Sequence, residues 1–384
     1  MKILVANIGS TSFKYRLYTT DTMTVVAQGR VERIGQPGSN CPDYDTAIQM
    51  CLADVVGEGK PLAQLTDLNC VSFKAVHAGP LSGARIVDDE LLAAMEEFTF
   101  FAPAHNPPYI AAMRAFAKTI PATPLVALLE TAFFDKMDEA SLTFSVPYEW
   151  KEEFGIRRYG FHGASHRAAS EGAQKLTGRS DLRHISCHLG GSSSMAAIRN
   201  GVAVDTTFGM SPQSGLPHNN RTGDLDVFAA LFMMKKKGLS IDEMAAVLGS
   251  QSGLAGISGT SGDVRDIDQG CACNDERCRL ALDVMIRSVR HYLGAFYVAL
   301  NGLDVLTFTG GIGENGADIR ERICRDLEIL GIKLDTERNR TASGQACLST
   351  PDSKVQVWMF PADEERVLAR AAHELLHSAE VAAR

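Results

Sequence analysis

The chain has 384 residues, 45% of them apolar and 22% charged, a composition that excludes a disordered polymer and suffices for two domains with cores of their own. The formal net charge of −8 speaks against a general nucleic-acid binder, because a phosphate backbone rewards basic surfaces. The opening "MKILVANIGS" turns polar too early for a secretory h-region, and "VFAALFMM" is stopped by Lys235, Lys236 and Lys237 before it could span a bilayer, so a cytoplasmic protein without membrane contact is expected.

The first 30 residues read as three strands, near 2–7, 12–19 and 23–29, with "NIGSTSFKY" turning the first into the second. Helical periodicity follows near 44–56, 88–99 and 107–119, with strands near 70–76 and 124–129. At 183–207 the strand–turn–strand–turn–strand pattern begins again around "HLGGSSSMAAI". Helices are expected at 224–237, at 241–249 and over 276–300. A buried strand at 305–310, a helix over 317–330, a strand at 354–360 and a helix at 363–379 complete the chain. Strands alternating with helices give an α/β fold. The nine cysteines sit mostly inside apolar patterns and read as reduced thiols. Cys271, Cys273 and Cys278 form "CACNDERC", which lacks a fourth zinc ligand and reads as a plain loop.

The two Gly-Ser turns read either as ordinary hairpins, which are common, or as elements that bind one kind of ligand. Glycine lets an anion approach the backbone N–H groups, and serine adds hydroxyls. One turn in each half of the chain could hold a phosphate chain, with Lys14 just beyond the first. A third loop, "TGGIGENG", carries Gly311-x-Gly313-x-x-Gly316 between a strand and a helix, with Asp335 about twenty residues on. Locally that matches a dinucleotide-binding fingerprint and keeps an NAD-dependent dehydrogenase open. Against it, only a short tail remains to complete a nucleotide domain, and both Gly-Ser hairpins are left unexplained. No Walker A pattern is present.

Residues 7–15, 188–198 and 310–315 resemble the two phosphate elements and the adenosine element of the actin-like ATPase superfamily. The blocks between them, "APAHNPPYI", "RRYGFHGASHR", "GLPHNNRTGDLD" and "GISGTSGDVRDI", resemble the acetate kinase family in order and spacing over nearly the whole chain. The resemblance implies two RNase H-like domains with an interdomain cleft. The expected division is 1–150 and 151–384, with the C-terminal helix 363–384 a candidate addition to the first domain. It also implies a homodimer, ATP/ADP with Mg²⁺, and a short-chain carboxylate converted to an acyl phosphate by direct in-line transfer.

Carried over residue by residue, the resemblance makes Glu130, His162 and Arg221 catalytic. Arg221 would clamp the phosphoryl group with two parallel N–H bonds, and His162 would donate to the same developing charge. Lys74, Val76, Ala104, His105, Phe161 and Pro212 would bind the carboxylate. Lys14, His188, Leu189, Gly190, Gly191, Ser192, Asp263, Val264, Arg265, Gly311, Ile312, Gly313, Glu314 and Asn315 would bind the nucleotide. Asn7 and Glu364 would face the metal.

Several site positions depart from the family pattern while the fold motifs stay intact. Lys74 stands for an arginine, Glu130 for an aspartate, Phe134 for a histidine, Ala104 for a leucine and Gly191 for an asparagine. "PHN" interrupts Gly-Leu-Met-Met-Gly-Thr-Arg-Ser-Gly-Asp. A preference for propionate or butyrate, the use of pyrophosphate, and a catalytically weak binding protein are the variants these departures leave open.

Overall fold

The structure, a computed structural model, describes residues 1–9 and 12–382. It divides into two compact units, Met1–Asp135 with Asp363–Arg384, and Lys136–Ala362. Each unit is built on one six-stranded sheet.

The first sheet contains β1 (Lys2–Ile8), β2 (Ser12–Thr19), β3 (Thr24–Glu32), β4 (Cys70–Ala75), β5 (Ala84–Ile86) and β6 (Leu125–Leu129), in the order β3-β2-β1-β4-β6-β5. β1, β4 and β6 run parallel, so their carboxyl ends lie together, while β2 and β3 form the antiparallel ribbon. β4 and β6 are buried at nearly every position, as parallel strands covered on both faces are. The helix Glu364–Ala382 returns to cover this sheet, and Ser72 Oγ of β4 donates to its Leu368 carbonyl at 3.1 Å. Ser10 and Thr11, the tip of the first Gly-Ser turn, lie outside the described residues.

The second sheet repeats the plan with β7 (Arg183–His188), β8 (Ser194–Arg199), β9 (Val202–Thr206), β10 (Val305–Thr309), β11 (Ala346–Cys347) and β12 (Gln356–Met359), in the order β11-β12-β10-β7-β8-β9. β7, β10 and β12 are parallel. The helix Glu276–Leu300 packs on this sheet through Cys278, Ala281, Leu282, Met285, Ile286, Val289, Leu293, Phe296 and Leu300, the 3- and 4-residue spacing of a single face. Asp275 caps its start and Asn301, at φ 57°, ends it.

Three expectations change. The helix over 317–330 is broken: it runs Ala317–Cys324 and resumes as a short turn at Glu328–Leu330. Arg290 takes the carbonyls of Arg322, Ile323 and Arg325 with one nitrogen, which satisfies the helix end, and Asp326 adopts φ 56°. The segment 271–278 is not a plain loop, since Cys271 lies in the last turn of the helix Val264–Ala272 and Cys278 in the first turn of the helix Glu276–Leu300, with a left-handed Asn274 between them. Asp335, the acid of the dinucleotide fingerprint, caps the helix Thr336–Thr341 through Arg338 N rather than ending a parallel strand. The helix Gly163–Thr177, which periodicity does not reveal, buries Gly163, Ala164, Ser165, His166, Ala169, Ser170 and Ala173.

Three histidines are enclosed in the second unit. Burial pulls His184 and His218 down to about 3, with the Arg221 charge adding to the shift at His218. Burial, then His188 and His184, holds His166 well below the usual 6.5. Each takes up a proton more readily unfolded than folded, so stability falls as pH drops below 6.5. The thermal midpoint is expected to fall between pH 7 and pH 5, and His184→Gln to flatten that slope. An unchanged slope in the variant would show that His184 does not titrate on unfolding.

Candidate functional site

In the first unit, the parallel register of β1, β4 and β6 gathers Asn7, Lys74 and Glu130 at the carboxyl edge of the sheet, where open α/β sheets bind ligands. Lys74 Nζ lies 2.9 Å from Glu364 Oε2, at the start of the C-terminal helix. Burial alone would depress the Lys74 ammonium. The Glu364 carboxylate, then Glu130 and Tyr109, hold it well above 10.5, so it stays charged. Glu130 is 1% exposed. Tyr109, from the helix Asn106–Thr119, accepts from Ile8 N at 3.3 Å and donates to Asn7 Oδ1 at 3.4 Å. Glu365 lies 3.5 Å from both Asn7 Nδ2 and Arg16 Nη1.

Val76 is buried just beyond β4, and Ala104 is exposed beside His105, the residue that precedes the helix Asn106–Thr119. Phe134 is buried edge-on against Phe133. Lys14 is exposed on β2, directly opposite Arg30 of β3, and borders a cavity of about 290 Å³ with Arg16, Gln28 and Glu365. Asn106 and Tyr109 were not singled out from sequence. Asn106 Nδ2 donates to the carbonyls of His77 and Met95, each at 2.7 Å, and fixes the chain after Val76. Their signal was "HNPPY", in which the paired prolines open a helix.

In the second unit, the turn 189–193 joins β7 to β8. His162 sits at φ 57° before the helix Gly163–Thr177, with Nδ1 2.8 Å from Ser194 Oγ and its ring 4.2 Å from that of His188. His166 bonds Ser186 and Ser194 at 2.9 Å each, and His188 bonds Ser165 at 2.7 Å. Phe161 is buried edge-on to Phe208. Arg221 donates to the Pro212 carbonyl at 2.7 Å, and burial pulls its guanidinium down to about 10. An arginine so enclosed is stabilised by any anion brought beside it.

A cavity of about 460 Å³ is bordered by Gly190, Gly191, Asn219, Asp263, Val264, Arg265, Asp268, Gly311, Ile312, Asn315 and Gly316. The residues expected to bind nucleotide divide here. Leu189 and Gly313 are buried, Glu314 Oε1 accepts from Ala362 N, and none of the three borders the cavity. Ser192 Oγ is buried without a hydrogen bond among the described residues. Asp263 holds Arg265 at 2.6 Å, and that bond draws its carboxyl down to about 2. Gly316, the last glycine of the third loop, borders the cavity as well. Asn219 and Asp268 also border it, although the sequence marks neither as a ligand; only packing brings them there. Among the described residues no group of three or more His, Cys, Asp or Glu side chains is placed to hold a metal, and no helix is long and apolar enough to cross a membrane.

Known proteins agree with this arrangement. Residues 2–370 match the acetokinase family. An acetate kinase of Carboxydothermus hydrogenoformans is 39% identical over 396 residues, covering 98% of this chain and 99% of its own. The crystal structure of Porphyromonas gingivalis acetate kinase superposes with a TM-score of 0.88 at 35% identity, over 98% of this chain and 99% of that one. A propionate kinase from Francisella tularensis gives 0.87 at 29% identity, over 96% and 98%. The fold is the two-sheet α/β fold of those structures, that of the actin-like ATPases, and the chain belongs to the acetokinase family.

Proposed function

We propose that this chain is a carboxylate kinase: a short-chain carboxylate and ATP give an acyl phosphate and ADP, reversibly. The observation that carries the reading is the glycine-walled cavity of the second unit, framed by both glycine elements of a chain in the acetokinase family. The nucleotide lies along Gly190, Gly191, Gly311 and Asn315, with its phosphates toward the turn 189–193. Lys74 holds the carboxylate as a charged point, fixed by Glu364. A carboxylate oxygen attacks the terminal phosphorus in line as the bond to ADP breaks. Arg221 and His162 donate to the charge on the equatorial oxygens, the main demand of phosphoryl transfer.

Magnesium binds through one or two carboxylates plus substrate phosphates. Glu130, Glu364 and Asn7, gathered with Lys74 and Tyr109, form a donor set of that kind, and the ion would offset phosphate charge there.

The helix Val227–Lys237 buries none of its residues and exposes Phe228, Leu231 and Phe232. Such a face favours a homodimer through the second unit. Sedimentation should give a dimer for the wild type and a monomer for Phe228→Asp; a monomeric wild type would contradict it. The nine cysteines, all free among the described residues, suit a reducing cytoplasm, which cell fractionation would check.

Trapping the product as an acyl hydroxamate, with acetate, propionate and butyrate against ATP, GTP and pyrophosphate, tests the activity; no hydroxamate from any pair would refute it. Arg221→Ala should lower turnover about a hundredfold or more while nucleotide affinity changes little. Ala104 in place of a leucine would open room for roughly one or more methylenes, and one methylene in an apolar pocket is worth about 10–200-fold in discrimination. Propionate or butyrate should therefore exceed acetate in kcat/KM, and Ala104→Leu should move the preference back. A strong acetate preference that Ala104→Leu leaves unmoved would show that another side chain fills the space.

A further inference from the structure

Two departures from the acetokinase pattern meet in space. Set on Gly-Leu-Met-Met-Gly-Thr-Arg, residues 215–221 read Gly-Leu-Pro-His-Asn-Asn-Arg, so Asn219 stands where the pattern has glycine. In the turn 189–193 the exchange runs the other way, and Gly191 stands where the pattern has asparagine. A Cβ on Gly191 would lie 3.5 Å from Asn219 Nδ2 and 3.8 Å from Asn219 Cγ. The amide of Asn219 fills the space into which a side chain at 191 would grow.

Hydrogen bonds on both sides hold the backbone that carries this amide. Asn219 N donates to the Gly191 carbonyl at 3.1 Å, and Ser193 N donates to His218 Nδ1 at 2.9 Å, so the loop grips the turn at two points. On its far side, Leu254 N and Ala255 N donate to the carbonyls of His218 and Asn219 at 2.9 and 2.7 Å. His218 also stacks on Phe208 at 5.5 Å. The side-chain amide of Asn219 makes no hydrogen bond among the described residues, is half-buried, and borders the cavity beside Gly190 and Gly191. An amide carries two donors and an acceptor, and this one stands on a backbone fixed at both faces and borders the cavity.

We propose that Asn219 donates from its side-chain amide to the phosphate chain of the nucleotide, so that a binding group the family pattern places on the turn is supplied here from the neighbouring loop. This rests on the nucleotide reading of the cavity. Phosphate is the class that fits, because the amide stands over the Gly-Ser turn, and a neutral donor to a charged oxygen makes a strong bond. The paired changes at 191 and 219 then form one exchange that conserves the amide.

Calorimetry on the full-length protein with ADP and with adenosine, without metal, tests the proposal. For Asn219→Ala the ADP Kd should rise about tenfold or more, the loss expected for one hydrogen bond to a charged group, while the adenosine Kd stays within about twofold of wild type. The double variant Gly191→Asn with Asn219→Gly should return ADP binding to within about threefold of wild type. Unchanged ADP binding in Asn219→Ala would overturn the proposal. So would an equal loss of adenosine, which would mark a packing residue, or a double variant no better than Asn219→Gly alone. If the wild type binds neither ligand, the nucleotide reading itself fails and the proposal with it.

Discussion

The second unit depends on a close approach between two backbones. Leu189, just past β7, donates its N–H to Thr309 O at 2.8 Å, and its carbonyl accepts from Ile312 N and Gly313 N at 2.9 and 3.0 Å. The chain passes between those bonds at Gly310, with φ 78°, where a Cβ would stand 2.6 Å from the Leu189 carbonyl. Only glycine accommodates that geometry. The two glycine elements, about 120 residues apart in the chain, are thereby joined into one surface, and the cavity opens on the residues that flank the seam. The loop 217–221 is tied to the same turn, so Arg221 and Asn219 inherit their positions from this seam.

The first unit achieves comparable order by another route. Its charged cluster stands at the ends of parallel strands, but one partner, Glu364, comes from the far end of the chain, 290 residues from Lys74. Removing either member would leave an enclosed charge without its counter-ion, which is strongly destabilising. The ammonium is fully charged at any pH below its usual 10.5, and its contribution is lost only when the pH rises past its raised folded value. Across the working range of an enzyme, Lys74 is therefore a constant cation. A lysine in place of an arginine there keeps charge and loses the planar fork.

Local pattern made much of this legible. Strands β1, β4 and β6, the meander at 183–206 and the helix Glu276–Leu300 follow from apolar periodicity and caps that lie within a few residues of one another. The two Gly-Ser turns stood out as turns from glycine and serine at strand ends; their sequence alone did not separate a phosphate element from an ordinary hairpin. What escaped was set by distant partners. The break after Cys324 needs Arg290, and the helix Gly163–Thr177 packs with alanine, serine and glycine, which carry no apolar signature. Asp335 matched a dinucleotide fingerprint by spacing, yet in three dimensions it is a helix cap. Asn219 read as a mere interruption of a motif, since its significance lies in the space above Gly191.

Hydrogen–deuterium exchange with and without MgADP tests most directly whether the seam at Leu189 and Gly310 is the floor of the nucleotide site. The account predicts that peptides covering 188–193 and 310–316 gain protection together when MgADP is added. Protection of neither, or of one without the other, would contradict it.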